Sequence, residues 1–455
     1  MKAYSIAQQI ATSAEVRGWR AYIVGGFVRD KVLGIESKDI DIEMFGPAGY
    51  AELAAFAAQF GTVNEIGQSF NVIKIHVPDE EPIDLSLPRR DIKINSGHKG
   101  FLAIHDGTLS LRAASERRDY TFNALFLDPL TDRIFDFHNG ISDLHARRLR
   151  HVGHQFAEDP MRVLRGMQFC GRFDLTADSG TVALCRSLYS EYETLSPDRI
   201  YDEWEKWCLK SVRPSRGLVF LHRTGWIRHY PALSALLRLP QDERHHPEKS
   251  AWRHTLQCVD RVALLSHPDD RLYLMFAALL HDVGKPQTTI IYPDGRITTH
   301  GHDKIGAEIA IDFLDSIRVS VRTADIVSNL VREHMTFTAH SDPTPRTVRR
   351  LAVRLSPATI RQFVTLVRCD LTSRGSLQRD LSFLDTVTEI AANERCAESA
   401  PEPLVKGRHL IALGLRPGPH FTPILSVALN AQLDGTFSDI ESGIAFIQSY
   451  LAQGE

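Results

Sequence analysis

The chain of 455 residues has no apolar run near the roughly 20 residues that a membrane-crossing helix requires, so no transmembrane segment is expected. Its opening stretch, MKAYSIAQQIATSAEVRGWR, has no long apolar core before a small-residue cleavage site. It therefore does not read as a secretory signal. Cysteine is scarce, with six residues in all: Cys170, Cys185, Cys208, Cys258, Cys369 and Cys396. None shows CxxC spacing. That excludes a disulfide framework and a zinc finger, and points to reduced thiols in a cytoplasmic protein. A strong charge of one sign is missing too. Lys and Arg total 53 against 56 Asp and Glu, a formal net charge of -3. The balance alone proposes no nucleic-acid partner. Fixed-period repeats and low-complexity tracts are absent.

What is present is a globular composition. Hydrophobic residues make up 43% and charged residues 24%, enough to bury real cores without disorder. At about 150 residues per domain, the length suggests about three domains. The notable count is 20 histidines, many of them between His245 and His334, because imidazole is a common metal ligand.

Residues 1–145 mix helix and strand signals. Ile6–Arg17 reads as a helix, Ala21–Val24 as a short strand ending at Gly25-Gly26, and Phe27–Leu33 as the helix after that turn. Strand patterns follow at Ile40–Phe45, Val72–Val77, Ile83–Leu87, Thr121–Phe126 and Arg133–Phe137. From Asp159 the periodicity is helical almost to the end, punctuated by Pro and Gly.

Two glycines between a strand and a helix let backbone N–H groups approach a phosphate, and Arg29 lies one helical turn further on. Asp39 and Asp41 are two apart on a strand, so they share a face. Paired carboxylates there repel unless a cation lies between them, and oxygen-liganded Mg²⁺ suits the pair. The bland alternative for such a pair is an exposed strand with solvated charges. Asp84, on the strand Ile83–Leu87, is a third candidate metal ligand, with a strand-end surface charge as its alternative. Further along, Pro160 suits a first helical turn. Asp159, Arg162 and Arg165 recur every three residues and are expected on one helix face. A carboxylate beside a guanidinium can answer the Watson–Crick edge of a base; an intrahelical salt bridge is the alternative.

Taken in order, GGFVRD, DID, RRDYTFNAL, DFHNGISDLHARRLRHVG and EDPMRVLR resemble the motifs of class II tRNA nucleotidyltransferases. These are the CCA-adding enzymes, with bacterial poly(A) polymerases as close relatives. The resemblance implies that Gly26 and Arg29 form a triphosphate-binding turn and that Asp39 and Asp41 hold catalytic Mg²⁺. It implies that Arg117 or Arg118, with Arg162 and Arg165, bind the nucleotide, and that Asp159 with Arg162 selects CTP and then ATP without a template. The chain departs from the family in three places. Leu111–Glu116 lacks the acidic stretch often found before RRD, Gln168 stands where an arginine is frequent, and Ser86–Asp91 differs from the usual strand.

In the second half, His254 lies on a helical pattern. His281-Asp282 follows the apolar run Phe276–Leu280, HGH carries His300 and His302, His334 precedes Met335, and Asp370 follows Cys369. An adjacent His-Asp pair on a buried helix is costly to desolvate without a partner, and a metal is one. Imidazoles and carboxylates with open positions suit Mn, Fe, Co or Ni and can activate water. His254, His281, Asp282 and Asp370, with HDVGK, resemble the HD phosphohydrolase superfamily. In bacterial multifunctional CCA proteins such a domain is implied to hydrolyse 2′,3′-cyclic phosphates. Met335 replaces an Asp found in some of them. His245 and His246 read as surface residues. The tail, with GLRPGP and a helix from Pro423, resembles the RNA-gripping C-terminal segment of the same enzymes. Arginines from Arg112 to Arg172 flank the proposed site and favour RNA, while acids gather elsewhere, as at Asp79–Glu81.

The expected architecture is multidomain α+β, a small mixed α/β nucleotidyltransferase head followed by all-α parts. The divisions are a head at 1–145, a helical neck at 146–240 binding nucleotide and RNA, an HD domain at 241–375 and a helical tail at 376–455. The expected partners are tRNA, ATP and CTP, with neither a membrane nor a stable protein partner. The alternatives are a transferase adding A only, CC only or poly(A), and an HD phosphohydrolase whose head merely binds RNA.

Overall fold

The computed structural model describes residues 2–37, 39–65, 72–77, 81–93, 101–337, 342–374 and 380–453. Lys38 and, from the acidic stretch, Asp79 and Glu80 lie outside the described residues. The chain forms two compact units, residues 1–229 and 230–455. No described helix is long and apolar enough to cross a membrane.

The first unit is built on a mixed sheet. Its strands in chain order are β1 (Arg20–Val24), β2 (Asp41–Phe45), β3 (Thr62–Glu65), β4 (Val72–His76) and β5 (Ile83–Ser86). A separate antiparallel hairpin follows, β6 (Arg89–Lys93) with β7 (Phe101–His105), and then β8 (Phe126–Leu127) and β9 (Ile134–Phe135) complete the sheet. The order is β3-β4-β5-β2-β1-β8-β9, and β2 pairs in parallel with β5 while its other neighbour, β1, is antiparallel. Alternation explains the strands. In β4 and β5 every second residue (Ile73, Ile75, Ile83, Leu85) is buried against the helices Lys2–Val16 and Tyr50–Ala57. Thr121–Asn123, expected as strand, is instead a 3₁₀ turn, and pairing begins only at Phe126. Thr121 and Asn123 put their polar side chains into buried bonds with Asp143 and Asp119, which a ladder would not allow.

The helix Met161–Phe173 packs against Pro197–Lys210 and Pro214–Thr224 in the same unit. Asp159 is not on that helix. It is extended, φ -123° and ψ 100°, just ahead of it. After the head the chain is helical as expected, with two small strand pairs beside the helices. Arg148–Leu149 runs parallel to Thr176–Ala177, and Ile290–Ile291 pairs with Ile297–Thr298. Two-residue strands carry too little periodicity to be read from sequence. The second unit is otherwise helical. Its core is built by Ala251–Leu265, Arg271–Leu280, His302–Ser316, Val321–Glu333 and Ile360–Thr372.

Candidate nucleotide and metal sites

In the first unit, β1 runs into Gly25, whose φ of +70° suits glycine, and the helix Gly26–Val32 starts there. The turn also lies in van der Waals contact with two charged groups. A Cβ on Gly25 would lie 3.5 Å from Asp41 Oδ2 and 3.7 Å from Arg118 Nη1. Turn, aspartate and arginine therefore meet at one corner. Asp41 opens β2, facing Val24 across β1–β2 and Asp84 across β2–β5, whereas Asp39, expected on the same strand, is exposed just ahead of it. Its carboxyl is pushed up to about 6, first by burial and then by Asp39, with Arg118 pulling the other way. Asp84 is engaged by Lys74 at 2.8 and 2.9 Å and does not line the cavity at that corner.

That cavity is about 450 Å³. It is lined by Gly25, Gly26, Asp39 and Asp41, and by nine cationic side chains against five carboxylates in all. Arg29, Arg117, Arg118, Asp159, Arg162 and Arg165 all line it. Arg29 is nearly buried, donates to Asp30 and Asn123, and packs over the Phe173 ring. Arg162 donates to the carbonyls of Gln155 (2.7 Å) and Arg117 (2.6 Å), so the intrahelical salt bridge with Asp159 is not what holds it. Asp159 instead meets Arg199 at 3.4 Å. Arg165 donates to Asp119 at 2.7 Å, and Asp119 also accepts from Asn123. Burial works to raise the Asp119 carboxyl, but Arg165 and Asn123 hold it below the usual range.

Sequence reasoning missed Glu43, Asn123 and Arg199, and left Asp119 without a role. Glu43 had a signal, since it continues the every-second-residue spacing of Asp39 and Asp41. Arg199 comes from a helix about 40 residues away, which no local pattern announces.

The second unit gathers His254 on Ala251–Leu265, His281 and Asp282 just past the end of Arg271–Leu280, His302 at the start of His302–Ser316, His334 after Val321–Glu333, and Asp370 on Ile360–Thr372. The His-Asp pair is thus on the turn after the helix rather than on the helix itself. Among the described residues, His254, His281 and Asp370 form one group with ligand atoms within 4.8 Å of one another. Asp282, His302 and His334 form another. Asp39, Asp41 and Asp84 are not among these close-set groups. His300 is exposed and outside both. Its neighbour Gly301 has φ +80°, which turns the chain so that only His302 enters.

The imidazoles are prepared for metal. Nδ1 of His281, His302 and His334 lies 2.9, 2.7 and 2.6 Å from the carbonyl oxygens of Ala278, Thr299 and Val331. A carbonyl can only accept, so each Nδ1 donates, and His302 and His334, both depressed by burial, are left with Nε2 lone pairs. Nε2 of His302 and His334 face each other at 3.2 Å, and His281 Nε2 lies 3.4 Å from Asp282 Oδ2. Burial first, then the neighbouring histidines, push His334 down to about 3. Facing lone pairs in a dry site need a cation between them, which fits a metal.

His254 is bound differently. Its Nε2 meets Asp370 at 2.8 Å and its Nδ1 meets Glu248 at 2.9 Å. Burial would depress it, but Asp370 and Glu248 hold it above the usual range. Arg374 clamps Asp370, and Lys285 meets Asp282 at 2.8 Å. His246, expected on the surface, is half-buried and bonds Glu248 at 2.9 Å. His245 is exposed. Sequence reasoning gave Glu248, Lys285 and Arg374 no role, although Lys285–Asp282 and Arg374–Asp370 sit at i,i+3 and i,i+4 spacing that local pattern could have offered.

A nucleotidyltransferase-type head joined to an HD unit is the class that this fold and these two clusters define. The family description Poly A polymerase head domain matches residues 21–150, and HD domain matches residues 251–360. A multifunctional CCA protein of Xanthomonas campestris pv. campestris (strain B100) is 33% identical over 371 residues, covering 79% of this chain and 86% of that one. That of Xanthomonas oryzae pv. oryzae (strain MAFF 311018) is 32% identical over 420 residues, covering 90% and 97%. The chain belongs to the multifunctional CCA protein family and is an enzyme of the CCA-adding class. Among solved structures, the Bacillus stearothermophilus CCA-adding enzyme in complex with CTP superposes with TM-score 0.68 at 18% identity, covering 100% of this chain and 98% of its own. The Thermotoga maritima CCA-adding enzyme complexed with tRNA gives 0.59 at 18% identity, covering 98% and 95%. At that identity they show a shared fold.

Proposed function

We propose that the cavity of the first unit adds CMP and then AMP to the 3′ end of tRNA without a nucleic-acid template. The observation that carries this reading is one cavity that joins the Gly25-Gly26 turn, Asp39 and Asp41 to a wall of arginines. Asp39 and Asp41 would hold Mg²⁺, since Asp41 is a crowded, desolvated carboxylate that a cation relieves. Held by these two carboxylates, the ion would supply Lewis acidity for the attacking hydroxyl and for the charge on the leaving pyrophosphate.

The chain's own residues do the rest. Gly25 and Gly26 offer backbone N–H groups to the triphosphate, and Arg117 and Arg118 supply positive charge beside it. Asp159 accepts from the exocyclic amino group that cytosine and adenine share, and Arg162 donates to the neighbouring ring nitrogen. Both carbonyl anchors of Arg162 fix the plane it presents. Arg165, locked on Asp119, backs that wall.

We also propose that the second unit hydrolyses 2′,3′-cyclic phosphates at a site of His254, His281, Asp282 and Asp370, supported by His302 and His334. Ni, Co, Mn or Fe fits this mixed imidazole–carboxylate set, and when bound supplies an activated water. Lys285 and Arg374 neutralise the two buried aspartates. All six cysteines are free and buried, which supports work in the reducing cytoplasm.

The test is product length. tRNAs ending before CCA, after C and after CC are given CTP, ATP or both. CMP on the first two and AMP on the third is expected, whereas no CTP incorporation on any substrate sinks the CCA reading. For the second unit, 2′,3′-cyclic AMP is offered with Ni²⁺, Co²⁺ or Mn²⁺. Wild type and His281→Ala being equally inactive with every metal rejects the hydrolase.

A further inference from the structure

Glu43 lies on β2 two residues beyond Asp41, and its side chain is completely buried. Its two oxygens are divided between two arginines. Oε1 meets Arg117 Nη2 at 2.5 Å, and Oε2 meets Arg118 Nη2 at 3.3 Å. Both arginines line the nucleotide cavity, while Glu43 stands behind them. The other end of Arg118 reaches the corner where Gly25 and Asp41 meet, with Nη1 3.7 Å from the Cβ position of Gly25. Arg118 therefore stands between two carboxylates, Glu43 and Asp41. The main chain of Arg117 carries the arrangement further, since its carbonyl accepts from Arg162 at 2.6 Å.

A guanidinium in a dry pocket pairs with the nearest carboxylate that can reach it. If Glu43 were neutral, the nearest charged acid for Arg118 would be Asp41, the residue that metal needs. We propose that Glu43 is a positioning residue for nucleotidyl transfer: it fixes Arg117 and Arg118 toward the triphosphate and keeps Arg118 from pairing with Asp41. This deepens the reading of the cavity as the nucleotide site and rests on it. Glu43 touches neither substrate nor reacting atoms and acts only through the two arginines.

The experiment uses the full chain and compares Glu43→Gln, Glu43→Asp and Arg118→Ala in CMP addition to tRNA lacking CCA, titrating CTP and Mg²⁺ separately. Glu43→Gln is expected to raise the KM for CTP and the half-saturating Mg²⁺ by about tenfold, with kcat within about threefold of wild type, as loss of ground-state positioning predicts. Glu43→Asp keeps the charge and is expected to recover most of both. A lower kcat with unchanged KM and Mg²⁺ requirement means that Glu43 only supports the fold, and overturns the proposal. If Arg118→Ala raises the KM for CTP and Glu43→Gln leaves it unchanged, the proposal fails while the site reading stands. If Arg118→Ala also leaves it unchanged, the site reading fails and the proposal with it. Should Glu43→Gln not fold, the Asp variant carries the test: its shorter carboxylate cannot reach both arginines, so a smaller rise in both constants is expected, and none overturns the proposal.

Discussion

At the scale of the residue, the first unit accepts an electrostatic cost for its chemistry. Asp41 has a carboxyl pushed up to about 6 from an ordinary 3.8. Its folded value lies above its unfolded one, so ionised Asp41 destabilises the metal-free protein. That penalty is full above about pH 6 and disappears as pH falls below about 4. In EDTA at pH 7, Asp41→Asn is therefore expected to stabilise by on the order of 2 kcal/mol, seen as a higher Tm, while nucleotide addition is lost. Asp119 has the opposite sign. Its carboxyl is held down despite burial, chiefly by Arg165. Its contribution is present above the unfolded value of about 3.9 and is lost as pH falls through the lower folded value. Asp119→Asn is expected to cost about 3 kcal/mol at pH 7, because it leaves Arg165 half-buried without its partner. The gap from wild type in urea unfolding should narrow below pH 4. A gap that does not change with pH would remove the ion pair as its cause. Both aspartates belong to motifs visible in the sequence. Their opposite titration was not visible, because it depends on which cations reach them.

At the scale of the element, two helices are placed by single glycines. A Cβ on Gly166 would stand 2.2 Å from Tyr120 Oη and 3.0 Å from Phe220. The Tyr120 hydroxyl donates to the carbonyl of Arg162 at 2.8 Å, so the close approach sets the height of the helix that carries Arg162 and Arg165. Alanine is the better helix former, yet Gly166→Ala is expected to lower stability by about 1–3 kcal/mol through overpacking. Calorimetry checks the sign. Gly284, in the HDVGK turn, is tighter. A Cβ there would lie 2.1 Å from the carbonyl oxygen of His302 and 2.6 Å from the nitrogen of Gly306. Those neighbours are backbone and cannot rotate away, so Gly284→Ala must push the helix His302–Ser316 from His281 and Asp282. Metal affinity of the second unit is expected to fall by at least about tenfold, as lost ligand positioning costs. Ni²⁺ titration calorimetry measures this, and unchanged affinity would show that His302 is not a ligand.

At the scale of the whole molecule, the two proposed chemistries fall in separate units. A ligand stabilises the unit that binds it, by about 2.7 kcal/mol at a hundredfold excess over its Kd. In hydrogen exchange, CTP with Mg²⁺ is expected to protect amides within residues 1–229, and Ni²⁺ amides within 230–455. Protection by CTP in the second unit alone would misplace the nucleotide site. The net charge of -3 conceals a cavity with nine cations against five acids. Local potential, not the sum, governs phosphate binding. Binding of tRNA should therefore weaken steeply with salt, by about a thousandfold between 50 and 200 mM for six or more phosphate contacts. A flat dependence would exclude a phosphate-led interface.

The sequence by itself determined the strand–Gly-Gly–helix turn, the helical body and the concentration of histidines in the second unit. Each of these rests on short-range periodicity, or on motifs within a few residues of one another. It did not determine that Thr121–Asn123 is a turn, since buried side-chain bonds to Asp143 and Asp119 outweighed strand propensity. It did not separate His302, turned inward, from His300, left exposed. Nor did it reveal Glu43 behind Arg117 and Arg118, Arg199 on Asp159, or the clamp of Glu248 and Arg374 around His254 and Asp370. These are pairings of charges that are mostly tens of residues or more apart along the chain. The long-range ones form only when helices and strands pack and water leaves, so the tertiary structure decides which of those charges meet.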